Sequence, residues 1–316
     1  MFVRRTSGRT PVGEECLETQ EDIIKTIQLN KSEISYTENN PLTKSQIKSV
    51  LTDEENQKVL ECNTIGFNPY FITHKNILNH LKNSDLDDLK KNIKKVFFYG
   101  AGCSNYEMNN LIKKPLSQFF SNANVKIMHD LEAACLAMYN DKPNVTCILG
   151  TGSNSCFFDG NKIIENAPSL GFMLGDEASG NYFGKKIINY YFNGLFDESL
   201  KLKFEKNYEN DLMEIKRNIY DHRANVYLSK FFPFVSNNKS HQIIKNLILD
   251  TLDDFFELHV NCFKKYNPEE INFIGSVSFF LKEEIELICK KHELKLGKVV
   301  KNPIERLLKY HTSDES

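Results

Sequence analysis

The chain has almost no net charge: 40 Lys and Arg face 42 Asp and Glu, leaving −2 at neutral pH. A balance this even gives no long-range field toward nucleic acid or an anionic membrane, so neither is expected as a partner. No apolar run approaches the roughly 20 residues of a membrane-spanning helix. The basic opening MFVRRTSGRTPVGEE has no apolar core behind it, which excludes a secretory signal. The cysteines stand at Cys16, Cys62, Cys103, Cys135, Cys147, Cys156, Cys262 and Cys289, with no CxxC pair and no Cys/His zinc spacing. Several lie inside apolar runs such as VTCILG and LEAACLAM. They read as small buried hydrophobes of a reducing compartment, and a cytoplasmic protein without a structural metal is expected. Short-period repeats and low-complexity tracts are also missing.

What remains is a globular balance, 41% hydrophobic and 26% charged, over 316 residues. That length accommodates two domains. Residues 1–46 stand apart. MFVRRTSGRTPVG is polar and turn-rich, EECLETQEDIIKTIQLNKSEI has a weak helical pattern, and YTENNPLTKS is turn-like. The patterning then firms up. SVLTDEENQKVLECNT reads as strand, turn, strand; FITHKNILNHLKN and DLDDLKKNI read as helical; KKVFFYGAG is a short buried strand entering a glycine turn. NYEMNNLIKKPLSQFFSN is helical with Pro115 as a break or kink. NVKIMHD is a strand, LEAACLAMYN a helix, and NVTCILGTGSNSCFFDGNKIIEN a meander. Residues 181–265 are mostly helical. EINFIGSVS, FFLKEEIELICKKHEL, KLGKVV and IERLLKYH close the chain as strand, helix, strand and helix. The pattern predicts an α/β fold with a mixed sheet.

Three constellations can carry chemistry. In IMHDLEAA, Asp130 falls where a strand ends and a helix begins. It reads either as a helix cap or as a general base on a substrate hydroxyl. In CILGTGSNS, the turn from Gly150 to Ser155 permits successive backbone N–H groups to face one concavity. The hydroxyls of Thr151, Ser153 and Ser155 can add donors, although an ordinary hairpin fits the same residues. In SLGFMLGDEASGNYFGKK, Gly171, Gly175, Gly180 and Gly184 surround Asp176 and Glu177. These acids could hold sugar hydroxyls or a magnesium shell, or simply sit at the positive end of a helix. Asn68 in IGFNPYF is a polar group in an apolar stretch. Gly275 and Ser276 in FIGSVS form a strand-to-helix turn that a ligand ring could approach.

Taken in order, IGFNPYF, FFYGAGCS, HDLEAA, CILGTGSNS, SLGFMLGDEASG, FIGSVS and the closing KNPIERLLKYH resemble the N-acetylglucosamine kinase group of the BadF/BadG-type ATPases. These belong to the superfamily of sugar kinases, Hsp70 and actin. The resemblance runs from about Val50 to His311. It implies two ribonuclease-H-like, actin-like ATPase lobes with mixed sheets and the active site in the cleft between them. It also implies ATP-dependent phosphorylation of an amino sugar with Mg2+. Position by position, Asp130 resembles the catalytic base. Gly150, Thr151 and Gly152 resemble the second phosphate-binding turn. Asn68, Ser153, Asn154, Gly171 and Asp176 resemble sugar contacts, and Gly275 and Ser276 fall where adenosine is held. The implied layout is an atypical segment 1–46, an N-terminal lobe 47–128 rejoined by the helix 303–311, and a C-terminal lobe 129–302. A homodimer is compatible with it.

Two departures stand out. The family opens on D-[SG]-G-[SG]-T-K, whose aspartate orients magnesium, but ENNPLTKSQIK stands there and only Thr43-Lys44 match. A pseudokinase that still binds sugar or nucleotide, an altered reading of residues 1–46, and a carboxylate supplied from that segment (Glu38 is near) are the alternatives. A dehydratase activator of the same ATPase family would need cysteines that bridge two subunits, and no cysteine arrangement here suggests it. Ala178 replaces a usual glycine, a change expected to be tolerated if its φ stays negative.

Overall fold

A computed structural model of the protein describes residues 25–32, 45–52, 58–220 and 223–313. The described residues fall into two compact units, 25–31 with 45–52, 58–137 and 304–313, and 32 with 138–220 and 223–303.

The first unit is built on a five-stranded sheet in the order β3-β2-β1-β4-β5. Its strands are β1 Lys25–Ser32, β2 Ser45–Thr52, β3 Lys58–Ile65, β4 Lys95–Gly100 and β5 Asn124–His129. β2 and β3 pair antiparallel, whereas β4 pairs parallel with β1 and with β5. The helices His74–Lys82 and Tyr106–Phe119 turn their apolar faces, Ile77, Leu81, Ile112 and Leu116, into one buried cluster with Val96, Phe98 and Val125. The helix Ile304–Ser313 returns to this unit, where the His311 ring packs tilted against Phe97 and meets the Tyr99 hydroxyl at 2.8 Å.

The second unit repeats the plan. Its order is β10-β9-β6-β7-β8, from β6 Asn144–Leu149, β7 Ser153–Phe158, β8 Ile163–Asn166, β9 Ile271–Ile274 and β10 Leu296–Val300. β6, β7 and β8 form an antiparallel meander, and β9 and β10 join it in parallel. Numbered within its own unit, each sheet runs 3-2-1-4-5. Long helices, including Gly180–Phe192 and Gln242–His259, cover an aromatic-rich core around Phe183, Phe204, Phe255 and Phe273.

Four expectations change. The weak helical pattern in EECLETQEDIIKTIQLNKSEI gives way to pairing: Lys25–Ser32 is a central strand, so residues 1–46 are not wholly apart from the first sheet. The division between units falls after Ala137 rather than after residue 128, because the helix Asp130–Met138 follows directly on β5. DLDDLKKNI forms consecutive turns, not a helix. There the Ser84 hydroxyl takes the Leu86 N–H and donates to the Leu81 carbonyl, competing with the helical ladder. Finally, Pro115 does not break its helix, since Tyr106–Phe119 continues through it with the proline buried. Cys62, Cys103, Cys135, Cys147, Cys156 and Cys289 are buried as expected, while Cys262 is exposed and Cys16 lies outside the described residues.

Candidate active site

In the first unit, β5 delivers His129 and Asp130 to the sheet edge. The helix that starts there is capped without Asp130. The Glu132 carboxylate accepts the His129 N–H at 3.0 Å, and His129 Nδ1 accepts the Leu131 N–H at 3.2 Å. Capping by these neighbours leaves the Asp130 carboxylate for other work. Its side chain is 27% exposed, and Oδ1 stands 3.1 Å from His129 Nδ1. On its protein side lies Cys103, whose thiol is pushed up to about 12 by burial and by the charge of Asp130. Cys103 belongs to the glycine turn after β4. A Cβ on Gly102 of that turn would stand 3.1 Å from Asn68 Oδ1. Asn68, the glycine turn and Asp130 thus form one neighbourhood. Asn68 also has a local duty, since Oδ1 accepts the Tyr70 N–H at 3.0 Å.

In the second unit, the turn between β6 and β7 is tied to the start of the helix Gly180–Phe192. The Gly150 carbonyl accepts the Gly180 N–H at 2.7 Å, and the Thr151 carbonyl accepts the Asn181 N–H at 3.0 Å. All peptide bonds are trans among the described residues. In a trans peptide the N–H points opposite to the preceding carbonyl. With both carbonyls turned toward the helix, the N–H groups of Thr151 and Gly152 point the other way, side by side. That is the arrangement of an anion cradle.

Asp176 braces the turn. Its carboxylate takes the Ser153 N–H and, at Oδ2, the Asn181 Nδ2 at 2.6 Å. Burial pushes the Asp176 carboxyl above the usual carboxylate range, against the pull of these bonds and of Lys185. Burial lowers the Lys185 ammonium, opposed by Asp176 and Glu177; its Nζ donates to the Phe172 carbonyl at 2.5 Å. Glu177 turns inward instead, meeting His259 Nε2 at 2.8 Å with both side chains 13% exposed.

The other predicted residues divide. Ser153 and Asn154 open β7 beside the turn, half-buried. Asn154 Oδ1 accepts the Ser155 N–H. The Ser155 hydroxyl is committed to the His259 carbonyl at 2.6 Å and so is not a donor in the turn. Gly275 packs against the turn: a Cβ there would stand 2.1 Å from the Leu149 carbonyl oxygen, and φ is +127°. This close approach explains the glycine without any ligand. Ser276 follows it, half-exposed, at the head of the helix Ser276–Phe280. Gly171, exposed with φ +71°, opens the short helix Gly171–Leu174, one residue before the carbonyl held by Lys185. Among the four glycines of that loop, Gly184 serves packing, since its Cβ would collide with the Leu228 carbonyl at 2.0 Å. Ala178 does not keep a negative φ: it sits at +57°, next but one to Asp176 at +63°. Glu38, Thr43 and Lys44 lie outside the described residues.

Sequence reasoning missed Asn181. It reads as one more polar residue in SGNYFG, and only the fold brings it under the turn. Nothing in its spacing marks it, and its full burial appears only in the fold.

No family model and no curated protein matches the chain. Solved structures do. A candidate N-acetylglucosamine kinase from Porphyromonas gingivalis is 28% identical, with a TM-score of 0.82 over 92% of this chain and 100% of that one. A candidate N-acetylglucosamine kinase from Chromobacterium violaceum is 13% identical, with a TM-score of 0.63 over 90% and 98%. A ROK-family transcriptional regulator, homologous to an E. coli protein, is 11% identical with a TM-score of 0.50 over 93% and 78%. The last two likenesses are of fold alone. The chain thus has the mixed α/β fold of the sugar kinases and actin-like ATPases.

Proposed function

We propose that the protein is an ATP-dependent kinase of an amino sugar, N-acetylglucosamine first, in the BadF/BadG-type group. The observation that carries this reading is the turn whose carbonyls are drawn toward the helix start, leaving the Thr151 and Gly152 N–H groups to hold phosphate oxygens. The full-length similarity to a candidate N-acetylglucosamine kinase supports the substrate class. In the proposed reaction Asp130 takes the proton of a sugar hydroxyl. The oxygen bonds to the γ-phosphorus of ATP as the bond to the ADP oxygen breaks. Asn68, Ser153, Asn154, Gly171 and Asp176 are proposed to line the sugar, and Gly275 with Ser276 to border adenosine.

Magnesium enters as the partner of ATP. Among the described residues, no three His, Cys, Asp or Glu side chains gather as a metal cage. An ion carried with nucleotide needs only one or two carboxylates beside the phosphates, and Asp176 adjoins the turn. Bound there, it would neutralise charge on the phosphate oxygens.

One observation favours a second reading, a sugar- or nucleotide-binding protein without turnover. β1 and β2 are joined by residues 33–44 rather than by a tight glycine hairpin with its aspartate. The test is ADP release with MgATP and a panel of amino sugars. Sugar-dependent release is expected. Sugar binding by calorimetry without release would replace the kinase with the binding protein.

A further inference from the structure

Asn181 is fully buried, and its amide is spent in an unusual way. Nδ2 donates to two acceptors at once, the Thr151 carbonyl and Asp176 Oδ2, each at 2.6 Å. Its backbone N–H also goes to the Thr151 carbonyl. Oδ1 meanwhile is buried without a hydrogen-bond partner. Flipping the amide gives no relief, because Oδ1 would then face two acceptors. An unpaired buried acceptor is unfavourable, and an apolar residue of similar size would avoid it. The asparagine is therefore kept for what its Nδ2 holds.

The arrangement is explained by what the two bonds hold. The Thr151 carbonyl fixes the plane of the peptide whose N–H belongs to Gly152. The Asp176 carboxylate fixes the Ser153 N–H next to it. We infer that Asn181 is a positioning residue for phosphate: it clamps the Thr151–Gly152 peptide and Asp176 together so that the Gly152 N–H faces the nucleotide. This rests on the proposed nucleotide site and adds to it a residue that never touches the ligand. Around Asp176 the facing groups are the Ser153 N–H, the Asn181 amide, Lys185 and Glu177, and the Asn181 hydrogen bond favours the ionised carboxylate against the rise that burial imposes.

The test uses the full chain and measures Mg-ATP and sugar binding by calorimetry in the Asn181→Ala, Asn181→Leu and Asn181→Asp variants, alongside melting temperature. Asn181→Ala and Asn181→Leu should weaken ATP binding about tenfold, on the scale of one hydrogen bond to a charged group, and by more than they weaken sugar binding, which Asp176 shares with other side chains. Asn181→Asp keeps the shape but sets a carboxylate against Asp176. It should bind ATP more weakly than Asn181→Ala at neutral pH and recover on acidification, when a protonated carboxyl donates again. A structural role alone would move melting temperature in step with ATP affinity, whereas a positioning role lowers ATP affinity in Asn181→Ala and Asn181→Leu at near-wild-type melting temperature. ATP affinity equal to wild type in Asn181→Leu overturns the inference while leaving the kinase reading intact. A wild type that binds sugar but no nucleotide overturns both.

Discussion

The carboxylate of Asp176 rests on the α-carbon of Gly152: a methyl group added there would stand 2.9 Å from Oδ2. Gly150, two residues earlier, has no atom within 4 Å of the equivalent point. The two glycines of one turn are therefore under different constraints. Gly152→Ala should push Asp176 off the Ser153 N–H and lower stability by about 1–3 kcal/mol. Gly150→Ala should stay within about 0.5 kcal/mol. Denaturant titration of the two variants separates them, and equal losses would show that Asp176 does not press on the turn.

Asp130 is not used as its helix's cap, since Glu132 and the His129 ring serve there. Asp130→Asn should therefore fold with near-wild-type stability. It should lose sugar-dependent ADP release while sugar affinity stays within about tenfold, roughly 1.4 kcal/mol. Steady-state kinetics with calorimetry checks both halves. Turnover that survives would remove Asp130 from the role of base.

Ala178 holds φ at +57° with its methyl fully buried in the second unit's core. The left-handed backbone costs about 1–2 kcal/mol for a residue with a Cβ. Losing a buried methyl costs about 0.8 kcal/mol, and glycine adds unfolded-state entropy of about 0.5–1 kcal/mol. Ala178→Gly should consequently leave stability within about 1 kcal/mol. Ala178→Val, branched and larger at the same φ, should lose about 3 kcal/mol or more. Thermal melts of the pair give the answer.

Burial raises the Asp176 carboxyl, so the folded chain keeps that proton to higher pH than the unfolded chain does. Below the unfolded value of about 4, both states are protonated and the group has no effect. Between that value and the raised one, the folded state holds more protons, so stability falls as pH rises. Above the raised value the loss is complete. Asp176→Asn should flatten this part of the stability profile, read as melting temperature against pH. An unchanged slope would assign it to other groups.

Cys103 is buried beside Asp130 with its thiol held up at about 12, whereas Cys262 is exposed. Alkylation of the native protein at neutral pH, followed by peptide mass mapping, should label Cys262 well before Cys103. Early modification of Cys103 would mean that the glycine turn after β4 opens readily.

Periodicity made most of the elements legible from β4 onward, because alternating apolar residues and glycine turns report local geometry. Pairing is not local. Lys25–Ser32 has a polar sequence that resembles a helix as much as a strand, and only its neighbours β2 and β4 make it central. Gly150, Thr151, Gly152 and Asp176 could be picked out as a glycine turn and an acidic loop. Their closeness could not be derived from spacing, since Asp176 lies far along the chain from Gly152 and its carboxylate reaches the turn only in the folded unit. Asn181 escaped for the same reason. The sign of φ at Ala178 escaped because it is set by how the loop closes, not by the alanine.

Both sheets share the order 3-2-1-4-5, and in each the first two strands are joined by a connection at the same place in the plan. In the second unit that connection is the short turn 150–152; in the first it spans 33–44. A blueprint used twice offers two chances to write a binding loop, and the strands do not depend on either being written. Residues at this junction can therefore diverge in one unit while the scaffold endures, so that architecture and chemistry are inherited separately.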